Sequence, residues 1–313
     1  MKRILAFALL LTLVMSVACA EWPDLSSFSV EELRILRSEV DELLQAEAEK
    51  QWAQDCAAYY TTPDQFAYVD NGTEVTILGY NGSDPVMVIP AEIRGMPVTR
   101  IAESAFADNK VIQRAILPDS LVQIGSNAFR ACGSLQEVNI PASVTTIPDS
   151  AFGYCYSLTK VTGLEHVAEI GPRAFAQVRF SEEVVFRAEN LSIGYEAFRY
   201  SWVPGVRILS DNVYIDGSYT FRECDKLQYF YVAAQATLTL DGAIFSQCPM
   251  LKVVVLPENT TVIQSHLPMV EGCQEVVFYT PETSGAYAYC KANFLRCVSE
   301  EYETMNAIYA ENH

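Results

Sequence analysis

Ile124-Gly-Ser-Asn-Ala-Phe-Arg-Ala-Cys-Gly-Ser-Leu-Gln-Glu-Val-Asn-Ile-Pro141 decides the fold, because the chain repeats it on both sides with small changes. Its phenylalanine recurs as Phe106, Phe129, Phe152, Phe175, Phe198, Phe221 and Phe245, at five intervals of 23 residues and one of 24. A fixed period in this range marks a repeat array. Each unit is too small to bury its own apolar side and does so against its neighbours.

The other slots of the repeat hold steady around that phenylalanine. Five residues before it stand Ile101, Ile124, Ile147, Ile170, Ile193 and, after a break at Asp216, Leu240. Immediately before it stand Ala105, Ala128, Ala151, Ala174 and Ala197, and six residues after it Ile112, Leu135, Leu158, Leu227 and Leu251. The alternation Leu135-x-x-Val138-x-Ile140 predicts a short strand with one face buried. Pro118, Pro141 and Pro257 stop such strands. Each unit is therefore a strand, a turn, a second extended piece and a tight corner, with its phenylalanine in a shared core.

Cysteine usage follows the same period. Cys132, Cys155, Cys224 and Cys248 each lie three residues after a repeat phenylalanine, where Asn109, Val178 and Ser201 stand in other copies. A slot open to Asn, Cys, Val and Ser is a buried position for small side chains, in which free Cys acts as a small hydrophobe. These four are expected to form a ladder of free thiols. Rungs ~4.8 Å apart leave a bridge between Cys132 and Cys155 open on distance alone. Cys273 is expected to continue the ladder, and Cys290 and Cys297 to pair unless one helix holds both.

These residues resemble the BspA-like branch of the leucine-rich repeat family, with repeats of the form Ile-Gly-x-x-Ala-Phe-x-x-Cys-x-x-Leu-x-x-Val-x-Ile-Pro. The match is specific over Val98 to Val161, weakens from Val178 to Val213, and returns from Phe221 to Pro257. The resemblance implies a leucine-rich repeat solenoid, mainly β with short turns, a helical N-terminal segment and a small C-terminal helical cap. It further implies a bacterial extracellular protein presenting a recognition surface, sometimes for host proteins, with no catalytic residues to transfer.

The segments outside the repeats divide as follows. Residues 1–20 read as a signal peptide: Lys2 and Arg3, an apolar run from Ile4 to Val14, and Ala18-Cys19-Ala20 as cleavage site. The alternative is lipid attachment at Cys19, against which Ser16 stands where such signals carry Leu or Val. Residues 21–52 predict an amphipathic helix, opened by a Ser29/Glu32 capping box and a Phe28–Leu33 staple. Residues 53–64 are a linker. Residues 65–97 predict a β-hairpin cap over the open end, from strands around Asp70-Asn-Gly72 and Asn81-Gly82. Residues 98–280 are the solenoid, about eight rungs of 23 residues, and 281–313 the C-terminal cap.

Charge and catalytic inventory narrow the function. The formal charge is −18, and removing the signal leaves 19 basic against 39 acidic residues, or −20. Such a chain repels phosphate backbones, which argues against nucleic acid and anionic membranes as partners. No later apolar run is long enough for a transmembrane anchor. There are three histidines, His166, His266 and His313, and no H-E-x-x-H, G-x-S-x-G, C-x-x-C or phosphate loop. No catalytic, metal or cofactor-binding residue is assigned, and no cofactor is expected. Four matches to glycosylation sequons, at Asn71, Asn81, Asn190 and Asn259, carry little weight in a turn-rich chain.

One gradient along the strands points to a surface. The slot between the two buried strand positions reads Asn139, Thr162, Val185, Ile208, Tyr231 and Val255, turning apolar toward the C-terminal half. Tyr229 stands beside Tyr231, with Tyr200 and Trp202 one repeat earlier. Exposed apolar patches with Tyr and Trp are typical of binding surfaces. Register shifts, or cover by the terminal helix, would bury them instead. The reading is an exported, non-enzymatic protein that binds another protein, in recognition or adhesion, through Tyr229, Tyr231, Tyr200, Trp202, Val185, Ile208 and Val255. The alternatives are a carbohydrate-binding surface using the same aromatics and a divergent hydrolase.

Overall fold

The computed structural model describes residues 62–216, 219–263 and 268–311. The signal peptide, the 21–52 helix, most of the 53–64 linker, Cys19, Cys56, His266 and His313 lie outside these residues. The chain divides into Met1–Tyr60 and Thr61–His313, and the second unit carries the repeats. It is a β-solenoid of about nine turns.

Each turn contributes strands to two parallel sheets and a corner. On the first face, Val86–Val88, Arg114–Ile116, Glu137–Asn139 and Lys160–Thr162 pair in order. A second sheet resumes with Val184–Phe186, Gly205–Ile208, Tyr229–Val232, Val253–Val255, Val277–Tyr279 and Cys297–Val298. The second face runs unbroken from Thr146–Ile147 through Glu169–Ile170, Asn190–Ile193, Asn212–Asp216 and Thr237–Asp241 to Thr260–Ile263. The first face is interrupted between Lys160–Thr162 and Val184–Phe186, and at this break Gly163, in the left-handed region at φ 83°, leads into a 3-10 turn at Leu164–His166.

The core follows the repeat slots. Val138, Ile140, Leu135, Ile147 and their counterparts are buried in one continuous cluster. Phe129, Phe152, Phe175, Phe198 and Phe221 stack as a ladder with successive ring centroids 5.1 to 5.5 Å apart. All seven described cysteines are free. Cys132 Sγ donates to the Phe106 carbonyl at 3.0 Å and Cys155 Sγ to that of Phe129 at 3.0 Å, so each thiol ties its rung to the one before.

The corner carries an unusual backbone. The residues two before and two after each phenylalanine from Phe106 to Phe221 lie in the left-handed region, among them Asn127 (φ 59°), Ala131 (57°), Arg173 (54°), Gln177 (63°), Glu196 (53°) and Tyr200 (59°). None is glycine, and each such residue costs about 1–2 kcal/mol. The compensation is directional. Alternating hands turns every second amide toward the next rung, so Asn127, Phe129 and Ala131 donate to Asp149, Ala151 and Gly153 carbonyls at 2.8 to 2.9 Å. Buried amides that would otherwise be orphaned find partners.

The ends depart from the expected pattern in two places. Phe66–Asp70 and Val75–Tyr80 form an antiparallel hairpin across Asn71-Gly72. Asn81-Gly82 makes no hairpin: Val86–Val88 pairs in parallel with Arg114–Ile116, because Val75–Tyr80 has already spent its other edge on Met96–Ile101. A hairpin forms instead across Arg94-Gly95, both in the left-handed region. At the other end, helix α1 (Gly285–Ala292) starts at Ser284, whose side chain accepts from the Tyr287 amide at 3.0 Å. Strand Cys297–Val298 follows, then helix α2 (Tyr302–Glu311).

One rung is shifted by one residue on both faces. Val184 pairs with Val206 and Ile193 with Ile215, spacings of 22 where the earlier rungs use 23. Ile215 therefore takes the core slot and Asp216 falls outside it. Because side chains alternate across a strand, a slip of one exchanges the buried and outward positions.

Candidate functional site

The outward column of the first face corrects one expected residue. Val185 aligns with Arg207, Arg207 with Tyr231, and Tyr231 with Val255. Ile208 is fully buried in the main core, because the 22-residue rung moves it one position past the outward slot. Arg207 takes its place, a residue that the 23-residue alignment hides.

Most of this column is covered by the chain itself. Tyr231, Val255, Ala233 and Tyr302 form a second buried cluster, against which Met305 and Tyr309 pack from α2. Tyr231 is 1% exposed and Val255 0%. The Tyr231 hydroxyl donates to Asn306 Oδ1 at 2.9 Å, and the Tyr309 ring lies 4.9 Å from Tyr229 and 6.0 Å from Tyr231. These tyrosines serve as a seat for α2. Val185, half-buried, is the part of the column at the edge of the helix.

Tyr229 is fixed from both sides. Its hydroxyl donates to Glu183, which also takes Arg207 Nη1 at 3.4 Å. To reach Glu183 the ring crosses Gly205, where a Cβ would stand 2.2 Å from Tyr229 Cζ. Burial, and then the Glu183 carboxylate, push the Tyr229 phenol above its ordinary value, so it stays a neutral donor. Burial raises Tyr231 likewise. Beside this group lies an open cavity of about 680 Å³ lined by Glu182, Glu183, Val185, Pro204, Gln228 and Tyr229. The split in the first face adds a narrower cleft of about 170 Å³ that also touches Glu182, Glu183 and Val185.

Tyr200 and Trp202 stand elsewhere, on the corner side of the rungs. They are 39% and 40% exposed. Around them the corner forms a stripe of stacked cations and rings. Arg179 lies 4.4 Å over Trp202, with Lys226 5.8 Å from the same ring, and Arg199 lies 4.7 Å over Tyr200. Earlier and later rungs continue it with Arg130 over Tyr154 at 5.1 Å, Arg173 over Tyr195 at 4.9 Å and Arg222 over Tyr219 at 4.7 Å. Glu196 joins two rungs by accepting from Arg173 at 2.5 Å and from Arg199. Burial opposes its charge, but the two guanidiniums outweigh it and hold the carboxyl below its usual range.

The sequence signal for this stripe was available. Tyr154 and Tyr200 share one slot, two residues after the phenylalanine, and Tyr156 and Trp202 share another, four residues after it. Arg130, Arg199 and Arg222 also share a slot, directly after the phenylalanine, but Arg130, Arg173 and Arg179 meet their rings only across rungs, which spacing alone does not show. Such an array offers flat apolar area and fixed guanidinium edges, which suit a protein surface or a charged ligand.

The second face presents a different chemistry. Tyr214, 42% exposed, stands among Glu169, Ser192, Asn190, Asn212 and Thr239 over a shallow hollow of about 530 Å³. Asn212 donates to Asn190 at 3.0 Å. His166 is half exposed in its 3-10 turn and lies 3.4 Å from Glu165. Among the described residues no group of three or more His, Cys, Asp or Glu is placed to hold a metal, and no helix is long and apolar enough to cross a membrane.

Comparison with known proteins places this geometry. The family model described as BspA type leucine rich repeat region matches in six copies over residues 92–204 and 181–290. Among solved structures, the T. pallidum leucine rich repeat protein is 25% identical, with 62% of this chain and 91% of that one covered at a TM-score of 0.50. A leucine rich cell surface protein from Faecalibacterium prausnitzii is 18% identical over 78% of this chain and 96% of that one, at a TM-score of 0.43. A leucine-rich repeat protein from Bacteroides ovatus is 16% identical over 77% and 99%, at 0.41. No curated protein matches.

Proposed function

The chain belongs to the BspA-type leucine-rich repeat family, and from that premise we propose that it is an exported, non-enzymatic protein that recognises another protein through the corner stripe. The observation that carries this is the exposure of Trp202 and Tyr200 within an array of stacked arginines, beside a first face whose tyrosines are covered. Aromatic and arginine side chains supply most binding hot spots, since they bury large area at low entropic cost. The basic start, apolar run and Ala18-Cys19-Ala20 support export, with lipid attachment at Cys19 as the alternative. Adhesion to a neighbouring or host cell is the role such a surface would serve.

The test uses protein and glycan arrays with wild type and the Tyr200→Ala/Trp202→Ala double variant. Protein ligands whose affinity falls about tenfold or more in the variant support the reading. Equal binding by both removes the stripe from the site. Carbohydrate binding is the second reading, and Tyr214 favours it: an exposed ring among fixed amides and hydroxyls suits a sugar face. Glycan hits abolished by Tyr214→Ala would establish that reading instead. Substrate turnover in an activity screen would overturn the non-enzyme part. The N-terminal residue of the secreted product decides between cleavage after Ala20 and lipidation at Cys19.

A further inference from the structure

Cys290 and Cys297 differ in placement from the four fully buried cysteines of the ladder. Cys132, Cys155, Cys224 and Cys248 are fully buried, and each thiol donates to the carbonyl of the preceding rung's phenylalanine at 2.9 to 3.1 Å. Full burial leaves no approach for an oxidant. Cys290 lies on α1, facing the core, and Cys297 begins the last strand of the first face. Cys297 packs against the apolar cluster that holds Cys290. The chain between them turns back tightly, with the Leu295 amide donating to the Cys290 carbonyl at 2.9 Å. Cys297 is only half-buried, so one sulfur of the pair is reachable from solvent while the other is enclosed.

We propose that Cys290 and Cys297 are an oxidation site that closes to an intramolecular disulfide on meeting a small-molecule disulfide, fastening α1 to the last strand. In the first step the Cys297 thiolate attacks one sulfur of the oxidant, whose S–S bond breaks and releases one thiolate. In the second, Cys290 attacks the Cys297 sulfur of that mixed disulfide and expels the other half of the oxidant. Two protein thiols are oxidised to one disulfide, one oxidant disulfide is reduced to two thiols, and the two protein protons go to the released thiolates. The Cys297 thiol is held below its ordinary range, first by its hydrogen bond from Cys290, with burial opposing and Lys291 assisting. The Cys290 thiol is pushed up, first by its hydrogen bond with Cys297 and then by burial, so it stays protonated until the mixed disulfide at Cys297 removes that partner.

The link has a structural consequence. Cys297–Val298 pairs with Phe278 and Tyr279, and α2 begins four residues later. Fixing that strand to α1 fixes the root of α2, the helix that covers Tyr229, Tyr231 and Val255 on the first face. Oxidation therefore holds the first face shut, and reduction frees it to open. This consequence is independent of the recognition surface at the corner.

The experiment treats the folded full chain with oxidised glutathione and reads intact mass and mapped peptides. The wild type is expected to lose two hydrogens, with the bond mapped to Cys290–Cys297. Cys290→Ser should stop at a glutathione adduct on Cys297, and Cys297→Ser should acquire neither. Oxidised wild type should also unfold about 5 °C higher than reduced and show slower amide exchange in 302–311. A stable glutathione adduct on wild-type Cys297, unreacted thiols, or a bond mapped to Cys132–Cys155 would each overturn the proposal. So would equal exchange of α2 in the two redox states, for the part that concerns the first face.

Discussion

Single residues decide what the first face does with its tyrosines. Tyr229 reaches Glu183 only because Gly205 leaves room for its ring. Gly205→Ala is predicted to displace the ring and cost about 1–3 kcal/mol by overpacking, measured by chemical denaturation. Tyr229→Phe keeps the ring and should cost about 1 kcal/mol; if the alanine variant costs no more than this, the notch is not what holds the ring. The same scale holds the clearest limit of sequence reading. Ile208 and Arg207 differ by one position, and a rung of 22 rather than 23 residues puts the isoleucine in the core and the arginine in the outward column, where it is itself buried against Glu183. Aligning copies at a fixed 23 cannot show this, because the phenylalanine spacing from Phe198 to Phe221 remains 23 while the strands within it slip.

At the scale of elements, α2 is the part that changed the functional reading. The outward slots do turn apolar, as Tyr231 and Val255 show, but their partner is a helix some fifty to seventy residues further along the chain. Its seat is sensitive to alkali. Burial, and then the Glu303 carboxylate, raise the Tyr302 phenol to about 12 from an ordinary value of 10.0. The unfolded phenol ionises first as pH rises past 10, so the stability from burying it neutral is fully present below 10 and is lost toward 12. Melting curves between pH 9 and 12 should show this fall, and Tyr302→Phe should flatten it. Ending the chain after Glu301 should expose Tyr231 and Val255, giving dye binding to apolar surface and association of the protein; a truncated chain that stays monomeric and binds no dye would mean that the face does not need its cover.

The whole molecule behaves as a stack whose stability is shared between neighbours. Phe175 has stacked rings on both sides, Phe152 at 5.5 Å and Phe198 at 5.5 Å, and Phe180 edge-on at 5.6 Å. Phe175→Ala is predicted to cost about 3–5 kcal/mol and to uncouple the rungs on either side, splitting one unfolding transition into two. Phe106→Ala, at the end of the ladder, should cost less and leave a single transition. Equal losses at both sites would argue against nearest-neighbour coupling.

The repeat, its core slots and its cysteine ladder were legible from sequence, and the family resemblance with them, because each rung buries the same positions against an equivalent rung. That information is periodic and local, so a list of spacings carries it. Three things were decided only by tertiary structure: the slip that exchanged Ile208 for Arg207, the docking of α2 on Tyr231 and Val255, and the meeting of Arg179 with Trp202 across rungs. Each depends on which residues stand opposite one another after the chain has wound, and a shift of one residue, or a helix returning from the far end, leaves the period almost unchanged while changing which side chains meet the core, a docked helix or solvent.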